Sequence, residues 1–246
     1  MKPAAFILGL TLVAALTAFG IPDGNRSVAG TMDGDVVQSA LDAPEPFVAW
    51  RRPDGPIRVA LQAGHWKAAE APDEQARLRT NGTRGGGKAE WEVNLGIARR
   101  TAQILEEAGY VVDILPTTIP PGYWADVFIA IHADGNPNAS VSGYRAAAPR
   151  RDRTGRAHEL VEVLTQTYGA ATGLPLYPTI TRRMRGYYAF NSRRYHHALH
   201  PMTVGVILEA GFLTSPRDRR IIVNAQDRAA RGIADAVIRF LEAETI

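Results

Sequence analysis

The chain has 246 residues, a formal charge of +3 and no cysteine. That length suits one α/β domain with an N-terminal appendage and leaves no room for a second catalytic domain, while the missing thiols exclude disulfides, a cysteine-borne lipid anchor and thiolate metal sites, so His, Asp and Glu are the only strong ligands. Only Lys2, Lys67 and Lys88 are lysines, and so mild a charge, carried almost wholly by arginine, fits an anionic polymer better than a nucleic-acid groove, which needs a denser basic stripe with interleaved aromatics.

Met1-Lys2, the apolar stretch Ala4 to Phe19 and the small-x-small site Ala18-Phe19-Gly20 predict an export signal over residues 1–20. The competing reading is an uncleaved anchor, for which the stretch falls short of the roughly 20 apolar residues a spanning helix needs. Residues 21–55 are rich in Pro, Gly and Asp without a sustained period and read as a linker or arm. The catalytic domain is expected over 56–246. Its first strand run is Val59 to Ala63, ended by Gly64-His65. Residues 71–88, with Asn81-Gly82-Thr83-Arg84-Gly85-Gly86-Gly87, predict a mobile surface loop.

A helix should follow, with Trp91, Leu95, Ala98, Ala102 and Leu105 as its apolar stripe, Glu90 in its first turn and Gly109 as a left-handed C-terminal cap. Strands are expected at Tyr110 to Leu115, Ala125 to Ile131 and Gly143 to Ala148, a helix at Glu159 to Tyr168, and little regularity from Gly169 to Met202. Val204 to Leu208 is a further strand run, ending in Glu209. Ser215-Pro216-Arg217-Asp218 carries a helix-start signature, and a last helix spans about Ala225 to Ala243 with Ile233, Val237 and Leu241 at steps of four. The Val- and Ile-rich runs alternating with helical patterns predict an α/β single domain, a twisted and mostly parallel sheet with helices on both faces.

Open sheets of this kind place their chemistry beyond the carboxyl ends of the strands, and three runs end there in His65, His132 and Glu209. A hydrolytic zinc site takes three protein ligands and keeps one position open for water, and His65, Glu90 and His132 supply the two-His-one-Glu set for one zinc ion per chain. Glu209, ending a buried strand, is placed as the general acid/base, since desolvation raises a carboxyl toward neutrality. Each residue also has an ordinary reading: the histidines as hydrogen-bonded structural residues, Glu90 as a favourable helix-start charge, Glu209 as the partner of Arg217 or Arg219.

The segments Ala63-Gly64-His65, Glu90 through Asn94-Leu95 with Ile97-Ala98, Ala125 through His132-Ala133-Asp134, and Val206 through Glu209-Ala210-Gly211-Phe212-Leu213-Thr214-Ser215 resemble, in order, the four motifs of the zinc-dependent N-acetylmuramoyl-L-alanine amidases. The resemblance covers about Ile57 to Leu241. It implies zinc on His65, Glu90 and His132, Glu209 as catalytic glutamate, and hydrolysis of the bond between the muramic acid lactyl group and L-alanine in peptidoglycan. The chain departs from the family pattern at Trp66-Lys67, where a glycine-rich turn is usual, and at Trp91, where lysine is usual. Glu92 stands two positions on as the other candidate ligand. Pro116 to Trp124 replaces the customary arginine-containing helical stretch.

The implied enzyme is exported, to the periplasm, wall or extracellular space, acts as a monomer on peptidoglycan, and meets a membrane only if its N-terminus stays uncleaved. The alternatives are a zinc hydrolase of another envelope amide or peptide, and a non-catalytic wall-binding module of the same fold. His196, His197 and His200 read chiefly as surface or rim residues, with His200 the one expected nearest the cleft. Arg182, Arg183 and Arg185 with Tyr187 and Tyr188 read equally as a carboxylate- and sugar-binding groove or as a solvated loop. Arg150-Arg151-Asp152-Arg153 reads as a solvated turn. The segment from Gly169 to Met202 is a further candidate, as a cover over the cleft.

Overall fold

The computed structural model of the protein describes residues 50–243. The expected signal or anchor (1–20) and the linker up to residue 49 lie outside the described residues. One compact unit runs Asp54–Ile246. No helix among the described residues is long and apolar enough to cross a membrane.

In chain order the unit contains β1 (Arg58–Ala63), a hairpin of β2 (Arg84–Gly85) and β3 (Lys88–Ala89), α1 (Glu90–Glu107), β4 (Val111–Leu115), β5 (Val127–Asp134), β6 (Arg145–Ala147), α2 (Ala157–Thr172), α3 (Arg182–Arg185), β7 (Val204–Phe212), α4 (Pro216–Ile222) and α5 (Gln226–Glu242). The main sheet is ordered β4-β1-β5-β7-β6. Its first four strands are parallel, and only β6 runs antiparallel to β7. Parallel strands are buried on both faces, which accounts for the unbroken apolar runs. The expected fold class is therefore the observed one.

Alternation along the strands sends Leu61, Ile129 and Leu208 to one face, where they pack with Leu105 of α1, Leu160 of α2 and Phe240 of α5. Each such buried side chain contributes about 1.5–3 kcal/mol. The α2–α5 crossing depends on Gly232, where a Cβ would stand 2.8 Å from the Tyr168 backbone. The other face carries Ala60, Phe128 and Ile207 and is covered by Ile119, Met184, Tyr188 and Leu199. Helices thus lie on both faces, three long ones on the first and short turns on the second. The reactive groups open on this second face.

Three local expectations need correction. Trp91 is 43% exposed, because Glu90 and Asn94 turn inward and the next position points away; the buried stripe runs through Val93, Ile97, Ala98, Ala102 and Leu105. Residues 84–89 form a hairpin where a mobile loop was expected, with Gly86 and Gly87 both at positive φ (57° and 76°), the pairing a tight two-residue turn demands. Asp218 does not cap α4. Its carboxylate accepts the Phe212 and Gly143 N–H groups at 2.8 and 2.9 Å and the Ser142 hydroxyl, tying β7 to the loop before β6. Gly109 does follow α1 at φ 91°.

Candidate metal centre

Where β1 ends, the chain turns sharply. His65 and Lys67 adopt left-handed φ values of 63° and 56°, a conformation that costs a non-glycine residue about 1–2 kcal/mol. Gly64 lies so close beneath His132 that a Cβ there would be 2.4–2.6 Å from three of its ring atoms. Asn94, fully buried on α1, donates to the Gly64 carbonyl at 3.0 Å and fixes the turn that aims His65.

His132 is carried by β5 and buried. Glu90 arrives as the first residue of α1, and the hairpin holds it: Glu90 N–H donates to Thr83 O at 2.9 Å, and Thr83 N–H donates to Glu90 Oε2 at 2.7 Å. The other carboxylate oxygen, Oε1, lies 3.0 Å from His132 Nδ1 and 3.6 Å from His65 Nε2. It also accepts the Ala133 N–H at 3.2 Å. Ligand atoms of His65, Glu90 and His132 all fall within 4.8 Å of one another.

Four ligands about 2.1 Å from a tetrahedral ion stand about 3.4 Å apart, so the two measured separations from Glu90 bracket what such an ion requires. His65 turns Nε2 toward the Glu90 carboxylate, and the Asn81 backbone stands beside the buried ring. The residues fit a divalent cation of the zinc type. Glu92, the alternative ligand, instead accepts the Ala89 N–H at 2.8 Å and closes the start of α1.

Charge and burial act together here. Burial would lower His132, but its hydrogen bond and charge interaction with Glu90, helped by Glu209 and Asp134, raise it above the ordinary imidazole range. Burial and the neighbouring His132 lower His65 against the pull of Glu90. Glu90 is lowered despite burial, chiefly by His132 and then His65.

Glu209 faces His132 in register on β7 and is half-buried. Burial pushes its carboxyl up to about 8; Glu90 and Asp134 push the same way, while His132 and Arg145 oppose. Just beyond these residues the β5–β7 register shifts between His132 and Asp134, and a bulge of this kind re-aims strand-end side chains. Glu209's sheet neighbour on the far side is Arg145 of β6, paired with Asp134 and lying 5.2 Å over the Tyr177 ring. Arg219, considered above as a partner for Glu209, donates to the Leu213 carbonyl at 2.9 Å. A cleft of about 360 Å³ brings His65, Glu90, His132, Glu209, Arg145 and Arg183 together.

The other histidines lie elsewhere. Glu74 accepts the His196 and His197 N–H groups at 2.9 and 3.0 Å and approaches His197 Nδ1 at 2.7 Å, contacts that pull its carboxyl down to about 2. His200 precedes β7, at the end of the strand opposite Glu209, where its N–H donates to Tyr123 O. Its expected approach to the cleft is therefore wrong: nearness in sequence to the strand's start placed it at the wrong edge. Of the arginine group, Arg183 lines the cleft, while Arg185 joins Arg150 and Arg151 around a separate cavity of about 290 Å³ beyond Tyr187.

Gln62, given no role from sequence, and Tyr187, read there as a groove or loop residue, stand against the site. Gln62, fully buried on β1, and Tyr187, 3.2 Å from His132 Nε2, form one hydrogen-bonded unit with it. The only signal was a polar side chain interrupting an apolar strand run.

A family model described as N-acetylmuramoyl-L-alanine amidase matches residues 59–239. Among solved structures the chain is similar to an N-acetylmuramoyl-L-alanine amidase of Nostoc punctiforme, AmiC2, with 20% identity, TM-score 0.56, 77% of this chain and 99% of that one covered. An amidase of Clostridium difficile 630 gives 19%, 0.54, 78% and 100%. Ami1 of Mycobacterium smegmatis gives 17%, 0.54, 76% and 97%. At these identities the likeness establishes the fold. No curated protein sequence matches the chain.

Proposed function

The chain belongs to the N-acetylmuramoyl-L-alanine amidase family, and from that membership we propose that it is an exported enzyme hydrolysing the amide between N-acetylmuramic acid and L-alanine in peptidoglycan. His65, Glu90 and His132 hold one zinc ion, and Glu209 is the general acid/base. The observation that carries the assignment is the convergence of two imidazoles and a carboxylate within 4.8 Å, with Glu209 directly across the strand pair from His132.

A zinc ion bound there would polarise the scissile carbonyl and make a water nucleophilic at neutral pH. Glu209 takes the proton that the attacking water loses as its oxygen bonds to the carbonyl carbon. It then delivers that proton to the L-alanine nitrogen as the C–N bond breaks. A carboxyl raised by burial suits both halves of that transfer, and a nearby cation returns it to the charged form needed at the start. Arg183, exposed on the cleft wall, is placed to meet carboxylates of the stem peptide with its planar fork.

The experiment is hydrolysis of purified peptidoglycan by the zinc-loaded protein lacking residues 1–20, with products identified by mass spectrometry. Free L-alanine amino termini and muramic acid retaining its lactyl carboxylate are expected. Cleavage within the stem peptide alone, or no cleavage with zinc bound, would overturn the proposal.

A further inference from the structure

Gln62 is the one wholly buried glutamine side chain on the main sheet, and a polar group in that setting must have its hydrogen bonds met. Its amide orientation is fixed by its surroundings: Nε2 faces the Thr117 carbonyl at 2.8 Å and the Tyr188 hydroxyl at 2.6 Å, and a carbonyl oxygen can only accept. Gln62 Oε1 is therefore the acceptor that remains. The Tyr187 hydroxyl lies 2.8 Å from it and has a single proton to donate. What Tyr187 has left to offer is a lone pair, and the atom beside it is His132 Nε2, 3.2 Å away.

The Thr117 carbonyl thus orients the Gln62 amide, and the Tyr187 proton has Gln62 Oε1 and the neighbouring Tyr188 hydroxyl as acceptors, both of which draw it away from His132. We propose that Tyr187, locked by Gln62, is a positioning residue that keeps the proton of His132 on Nε2 and so commits Nδ1, the nitrogen facing Glu90, to the metal. The proposal rests on His65, Glu90 and His132 being a metal centre. The Tyr187 ring meets the His132 ring edge-on at 5.3 Å between centroids, and holds the imidazole plane as well as its tautomer. Such outer partners of a metal-bound histidine affect affinity as well as rate.

The test uses the whole exported chain, ¹⁵N-labelled at histidine and loaded with zinc or with ¹¹³Cd. In the unsubstituted protein, cadmium should couple to His132 Nδ1, with the ring proton on Nε2. Tyr187→Phe keeps the ring and removes the hydroxyl, so its fold should persist by circular dichroism while zinc affinity, read by chelator competition, falls about 10–100-fold. Gln62→Met, which frees the Tyr187 hydroxyl to rotate, should move affinity the same way by less. Coupling through Nε2, or a Tyr187→Phe protein with unchanged zinc affinity, overturns the proposal. An unsubstituted protein that binds no stoichiometric metal overturns the metal-centre reading, and this proposal with it. The spectrum of the unsubstituted protein decides the tautomer even if neither variant folds.

Discussion

His132 and Glu209 face each other in register on neighbouring parallel strands, which holds the proposed metal ligand and the proposed proton carrier about one strand spacing apart. The pairing is set by backbone hydrogen bonds, so it does not depend on loop conformation. Replacing the carboxylate should therefore remove proton transfer without disturbing the ligands. Glu209→Gln is expected to lower kcat about a hundred- to ten-thousandfold while zinc stoichiometry, measured by atomic absorption, is unchanged.

Gly64 allows close approach of backbone to a metal ligand. A methyl group there would overlap the His132 ring, which cannot retreat past Tyr187 and Glu90. Gly64→Ala should cost about 1–3 kcal/mol of stability, seen as a lower Tm, and should also abolish stoichiometric zinc binding. Full zinc content in a well-folded variant would show that the ring is less confined than this packing implies.

In the metal-free protein the raised His132 and the lowered Glu90 form a pair whose stabilisation spans a pH window. The Glu90 contribution is lost as pH falls through its depressed value, and the His132 contribution is lost as pH rises through its elevated one. Zinc must displace the imidazole proton, so its apparent affinity should rise with pH through the His132 value. Calorimetric zinc titration in buffers of different ionisation enthalpy should show protons released on binding, drawn from His132 and from the Glu209 carboxyl, and fewer of them as pH rises.

Arg183 borders the cleft without an acidic partner among the described residues. Arg183→Ala should raise KM for peptidoglycan fragments about tenfold, the loss of roughly 1.4 kcal/mol from one charge-assisted contact, with little change in kcat. Steady-state kinetics on fragments with amidated stem carboxylates should show no such difference between the two proteins.

Asp218 is fully buried and satisfies three donors from two segments. Asp218→Ala should destabilise the fold by about 3 kcal/mol, because buried N–H groups lose their acceptor, and chemical denaturation would measure it. The metal ligands sit on other elements, so zinc stoichiometry of the folded fraction should be retained.

The sheet was legible because buried parallel strands write continuous runs of Val, Ile and Ala. His65, His132 and Glu209 were legible as polar breaks in such runs, but the expectation that His132 and Glu209 end their strands needs correction, since β5 continues to Asp134 and β7 to Phe212. What escaped sequence reading depends on contacts between distant segments. Nothing local to Trp91 says that it points to solvent; that follows from Glu90 being drawn inward by Thr83 and His132. The 84–89 hairpin was hidden by glycines that also suit a loose loop. Asp218 carried a helix-start pattern, but the unpaired N–H groups of Gly143 and Phe212 competed for its carboxylate. Tyr187 lies 55 residues from His132, a separation across which no spacing rule operates.

The most direct test of the metal centre is anomalous diffraction at the zinc edge from crystals of the zinc-loaded protein. One ion should appear bonded to His65, Glu90 and His132 at about 2.0–2.2 Å, with Glu209 alongside but unbonded. An ion held by His196 and His197, or no ordered ion near His132, would contradict the assignment.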